Sequence, residues 1–140
     1  MKFQLSGMFR NKRFANLRRK VEILEIIGRV MFALLFIASA FGHFKNSAAM
    51  AGYAQSKGVP APKLAVQGSG LLILVGAVLV ATGYQAALGA LLLVIFLVPT
   101  AILMHPFWKE TDAMAKMSEQ INFLKDISLA GSALVMYTLF

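Results

Sequence analysis

From Leu64 to Trp108 the chain runs through 45 residues without one Asp, Glu, Lys or Arg. A helix needs about 20 predominantly apolar residues to cross the hydrocarbon core of a bilayer, so this length holds two crossings and a tight connection. The connection is marked at Thr82-Gly83-Tyr84-Gln85, where the aliphatic run breaks for a glycine and side chains with polar tips. Such residues suit a headgroup boundary. The stretch predicts a membrane helical hairpin with spans at 64–83 and 86–104.

The rest of the composition agrees. With 59% hydrophobic and 14% charged residues, the chain is too apolar to surround one soluble core with a wettable surface. A net charge of +8 raises nucleic acid as a partner, because clustered Lys and Arg neutralise phosphates. Half of the 14 basic residues, however, lie between Lys2 and Lys20, directly before an apolar span, where topology signals sit. The expected partner is therefore the lipid bilayer and not nucleic acid. The chain has no cysteine, which excludes disulfides, Cys-ligated zinc, iron-sulfur clusters and thiol exchange by its own residues.

Residues 1–20 read as a basic cytoplasmic arm, with Lys2, Arg10, Lys12, Arg13, Arg18, Arg19 and Lys20 and no acid. Interleaved Phe3, Leu5, Met8, Phe9, Phe14 and Leu17 offer a second reading, an amphipathic helix lying on anionic lipid. Both place the arm, and with an even number of spans both termini, on the cytoplasmic side. The first span is expected at 21–44. Within it Glu25 and Arg29 stand four apart with the acid first, the favourable order for an intramembrane charge pair. Ala38 and Gly42 form a small-xxx-small pair that would admit a neighbouring helix.

Two loops carry further predicted structure. Ala48 to Ser56 fits a short interfacial helix with Met50 and Tyr53 on one face, followed by the breakers Gly58-Val59-Pro60-Ala61-Pro62. After the hairpin, His105-Pro106-Phe107-Trp108 places aromatic side chains at a boundary, and Lys109 to Gln120 reads as a second interfacial helix. The last span is expected at 121–140. Its uninterrupted apolar part, from Ile127, is only 14 residues, so Asn122, Lys125 and Asp126 enter the membrane layer or snorkel to its edge. The predicted fold is all-α: an up-down four-helix bundle in the membrane at 21–140.

Alternating directions bring six polar residues to one end of such a bundle: His43, Gln67, His105, Asn122, Lys125 and Asp126. An interhelical pocket there is the default site. No HxxxH or HxxE spacing supports a metal, and none is expected. A His and an Asp in an apolar recess suit proton exchange with a reduced carrier such as a quinol. Plain interfacial hydrogen bonding with Lys125 snorkelling accounts for the same residues. No Ser/His/Asp constellation, phosphate-binding loop or dinucleotide fingerprint appears.

The order of these features resembles the DoxX family of small four-helix bacterial membrane proteins, over roughly residues 26–140. The resembling residues are Arg29, Phe36-Ile37-Ala38-Ser39-Ala40, Gly58-Val59-Pro60, Gly70, Gly76, His105-Pro106-Phe107-Trp108 and Asn122-Phe123-Leu124-Lys125-Asp126. Two positions depart: many members have Lys where His43 stands and Glu near Val66-Gln67. The resemblance implies a multi-pass protein of the bacterial cytoplasmic membrane. It ties some members to thiosulfate:quinone oxidoreduction or to membrane complexes that protect against oxidative stress, and it implies no one shared reaction. The expectation for this chain is an accessory or anchoring subunit linked to quinone redox or oxidative-stress protection, without stand-alone catalysis. The alternatives are a quinone-coupled oxidoreductase subunit of the thiosulfate:quinone type and a small-solute or proton permease. Quinone is the cofactor class the resemblance implies, with protein partners or further copies of the chain around it.

Overall fold

The computed structural model describes residues 12–140. The arm residues before Lys12, including Lys2 and Arg10, lie outside the described residues. Among those described there is no strand. Five α-helices follow in order: α1 (Lys12–Lys45), α2 (Ser47–Ser56), α3 (Pro62–Thr82), α4 (Ala86–Met104) and α5 (Ala113–Leu139). A single 3-10 turn, Phe107–Lys109, separates α4 from α5. Three segments are long and apolar enough to cross a membrane: α1, α3 and Ala86–Lys109. The first half of α5 carries Lys116, Glu119, Lys125 and Asp126.

The hairpin forms where expected because glycine ends its first arm. Gly83 has φ +75°, and its N–H returns to the carbonyls of Leu79 and Val80. A residue with a Cβ resists that conformation. A side chain there would also displace the Arg29 guanidinium, which lies against the glycine.

Long helices pack in chain order, α1 on α3, α3 on α4 and α4 on α5, while α2 rests on α3. Their shared core takes Ala33, Phe36 and Ala40 from α1, and Ile73, Ala77 and Val80 from α3. Ala90, Leu93 and Leu97 come from α4, and Ala130 and Ala133 from α5. Alanine recurs on every helix because small side chains let helix backbones approach where lipid supplies no hydrophobic drive. The closest approach is glycine to glycine: a Cβ on Gly89 would lie 2.7 Å from the Gly76 carbonyl oxygen. Large apolar residues such as Leu71, Val78, Leu91 and Ile102 are exposed on the outside, the reverse of a water-soluble protein.

Three local expectations need correction. Ala38 is exposed and a Cβ on Gly42 would meet nothing, so this pair does not admit a neighbour. The buried seam of α1 is instead Ala33, Phe36, Ala40 and His43, whose three- and four-residue steps follow one helix face. The charged segment at 109–120 is not a separate interfacial helix. Asp112 caps α5, its carboxylate accepting from the Ala115 N–H at 2.8 Å, and the helix then runs unbroken to Leu139. Finally, α1 begins well before the expected span. Every residue from Lys12 to Gly28 is exposed, including Phe14, Leu17, Val21 and Leu24.

Candidate functional site

At the end of the helices opposite Gly83 lies a cavity of about 770 Å³, within the range of small-molecule sites. Its wall is mostly apolar, with Leu35 and Phe36 from α1, Phe96 and Leu103 from α4, and Leu129 from α5. Pro99 also borders it. Lacking an N–H, this proline frees the Ile95 carbonyl of its helical partner beside the cavity. The ionisable side chains of the wall are Tyr53, His43, His105, Lys125 and Asp126.

His43 is held by its own helix, Nδ1–H donating to the Ser39 carbonyl at 2.8 Å, with the ring edge-on to Phe96. A carbonyl accepts only, so the bond fixes which nitrogen carries the hydrogen. Gly70 makes room for this histidine, since a Cβ there would lie 2.8 Å from the His43 Cβ. His105 follows the last turn of α4. Its Nδ1 is 2.7 Å from Glu119 Oε2, and its Nε2 is 3.6 Å from Asp126 Oδ2. Asp126 is buried, at 8% exposure. Lys125 is exposed and donates to Asn122 Oδ1 at 3.3 Å.

Of the six polar residues expected at this end, His43, His105, Lys125 and Asp126 line one cavity, and Asn122 is tied to it through Lys125. Gln67 stands apart. It is exposed, because Val66, Gly70 and Ile73 occupy the buried face of α3 and Gln67 falls about 100° from Val66. Glu25 and Arg29 pair at 3.5 Å near Gly83, and the guanidinium carbon lies 5.4 Å from the centre of the Phe140 ring. The Arg29 Nε is buried without a hydrogen-bond partner among the described residues.

The sequence reading did not single out Glu119, Lys57 or Glu110. Glu119 accepts from the Tyr53 hydroxyl at 3.2 Å, and Lys57 Nζ lies 3.6 Å from both Glu119 Oε1 and Glu110 Oε1. These contacts fasten α2 and the loop after it to α5. Burial works against a charge on Glu119, but the His105 hydrogen bond and the Lys57 and His105 charges outweigh it, and the carboxyl is held below its ordinary 4.5. Burial likewise opposes the charge on Lys57, yet Tyr53, Glu119 and Glu110 together raise its pKa. Tyr53 is pushed up by burial and then by the charge of Glu119.

A carboxyl depressed on folding contributes stability that is present above its unfolded pKa and lost as pH falls through the folded value. The thermal midpoint in detergent should therefore drop as pH is lowered past 4.5 and further into acid. Glu119→Gln should remove that acid-dependent part while lowering the midpoint at neutral pH. A Glu119→Gln profile parallel to wild type would show that the carboxylate does not hold α2 in place.

Among the described residues no group of three or more His, Cys, Asp or Glu is placed to hold a metal ion. The arrangement offers instead a mostly apolar chamber with hydrogen-bonding and proton-exchanging groups in its wall.

The chain was compared with known proteins. It is 30% identical over 115 residues to inner membrane protein YphA of Escherichia coli strain K12, an alignment covering 81% of each chain. No solved structure matches it. The DoxX family model matches residues 24–106, more than half of the sequence. On the strength of that match and of the YphA-like relative, this chain of apolar helices belongs to the DoxX family of membrane proteins.

Proposed function

We propose that the protein is a bacterial inner-membrane subunit that holds a lipid-soluble ligand of the quinone class and serves a larger complex linked to quinone redox or oxidative-stress protection. The observation that carries this reading is the cavity: about 770 Å³, with a mostly apolar wall that includes His43, His105 and Asp126. An isoprenoid-tailed ring needs that combination, apolar wall for the tail and donors for the ring oxygens. In lipid nanodiscs the protein should bind decylubiquinone. Asp126→Asn and His105→Ala should each weaken binding by about tenfold, the equivalent of one hydrogen bond of about 1.4 kcal/mol. Unchanged affinity in both variants would remove Asp126 and His105 from the site.

With no cysteine, the chain has no thiol to carry electrons onward, which favours an accessory role over stand-alone chemistry. The exposed start of α1 ahead of the first span, residues 12–20, supports the same reading. Nine helical residues extend over about 13 Å, with Phe14 and Leu17 on one face and Lys12, Arg13, Arg18, Arg19 and Lys20 around them. An isolated helix of that length is marginal in water, and its basic charge suits an acidic partner subunit. We place α5 across the membrane as a fourth span with both termini cytoplasmic, since the basic extension directly precedes the first span. A reporter fused after Phe140 should therefore be active only in the cytoplasm. Periplasmic activity would mean that α5 does not cross.

A further inference from the structure

We infer that Glu119, His105 and Asp126 form a proton relay joining the aqueous surface to the cavity, an inference that rests on the cavity holding a ligand with an exchangeable proton. The three groups alternate carboxylate, imidazole, carboxylate along one line. Glu119 lies outside the cavity wall, whereas His105 and Asp126 are part of it. On the surface side, Glu119 meets Tyr53 and Lys57, and Lys57 with Glu110 borders a second groove of about 530 Å³. The line therefore starts in the cavity wall at Asp126, passes through a single imidazole and ends at Glu119, where Lys57 stands between it and the second groove.

Imidazole is suited to that place because it takes a proton on one nitrogen as it releases one from the other. Glu119 as carboxylate only accepts, so Nδ1 carries the hydrogen at 2.7 Å and Nε2 faces Asp126 Oδ2 at 3.6 Å. That second distance exceeds a formed hydrogen bond by a few tenths of an ångström, a gap that side-chain rotation closes. In the transfer, the O–H bond of protonated Asp126 breaks and an N–H bond forms at Nε2. The Nδ1–H bond breaks as an O–H bond forms on Glu119. One proton enters and one leaves, the imidazole stays neutral, and no electron moves. The charge passes from Glu119 to Asp126.

The other groups facing the relay fit this assignment. From α2 and its following loop, Tyr53 and Lys57 face Glu119, and Glu110 meets Lys57 from the segment after the 3-10 turn. On α5, Lys125 is turned to Asn122. His43, across the cavity on α1, spends its Nδ1–H on Ser39 and stands outside the line.

The test follows deuterium reaching Asp126 in the full chain in lipid nanodiscs, by infrared spectroscopy after mixing from H2O into D2O. The Asp126 carboxyl band is assigned by its loss in Asp126→Asn, and the amide band of the same spectra reports folding. Wild type and the surface variant Met114→Ala should deuterate Asp126 fast. Glu119→Gln and His105→Gln should slow it by about 10²-fold, the low end of what a positioned proton-transfer group contributes. Equal rates in folded wild type and both variants would overturn the relay. So would the lack of an Asp126 carboxyl band at every pH where the fold survives, since the step needs that group protonated. No ligand is required, so failure of decylubiquinone binding and failure of the relay are separate results.

Discussion

Gly89→Leu should be the most destabilising single change among the helix-packing positions, with a loss above about 3 kcal/mol or no recoverable folded protein. Overpacking a core costs about 1–3 kcal/mol where side chains can shift. Here the obstacle is backbone. A Cβ on Gly89 would lie 2.7 Å from the Gly76 carbonyl oxygen and 3.0 Å from the Val80 nitrogen, and neither atom can move without displacing α3. The larger side chain would push α4 off α3 and carry Leu93 and Leu97 out of the core. Gly68→Ala supplies the contrast, because a Cβ at that helical position meets nothing within 4 Å. Replacing an unconstrained helical glycine by alanine should be neutral or stabilise by about 0.5–1 kcal/mol. Thermal unfolding in detergent decides between them, and similar midpoints for the two variants would mean that α3 and α4 are not joined at this crossing.

The elements that rest on local chemistry were legible in the sequence. The hairpin follows from 45 uncharged residues interrupted by Gly83, and its arms, 62–82 and 86–104, depart by two residues or fewer from the expected spans. The short helix at 47–56 was likewise readable from the breakers around it. Which residues share a face proved harder. Gln67 was placed by its height in the membrane alone, although the buried positions Val66, Gly70, Ile73, Ala77 and Val80 repeat with the helical period and leave Gln67 outside it.

The same period could have found Glu119. Glu119 and Asp126 are seven residues apart, two turns on one face of α5, but a helix broken at residue 120 hides that relation. What no local pattern contains is the meeting of Tyr53 and Lys57 with Glu119. It depends on how the α2 loop folds back over the end of α5, and so did the His105 bridge between two carboxylates.

Asp126→Ala should cost about 1–3 kcal/mol in detergent, while Lys125→Ala should cost little. These neighbours differ by about 100° around α5; both border the cavity, but Asp126 is buried and Lys125 is exposed. Asp126 is 8% exposed at the cavity, with His105 Nε2 at 3.6 Å. Removing its carboxyl leaves that nitrogen facing an apolar recess without the acid group that can donate to it, and opens space on the face of α5 that carries Ala130. Lys125 is exposed and its ammonium donates to Asn122 at 3.3 Å, a surface contact of a few tenths of a kcal/mol. Asp126→Asn should recover part of the loss by keeping the shape and a hydrogen-bonding group. Equal small losses for Asp126→Ala and Lys125→Ala would place both carboxylate and ammonium at the membrane boundary. The cavity wall would then keep its two histidines without the acid that gives it a proton to exchange.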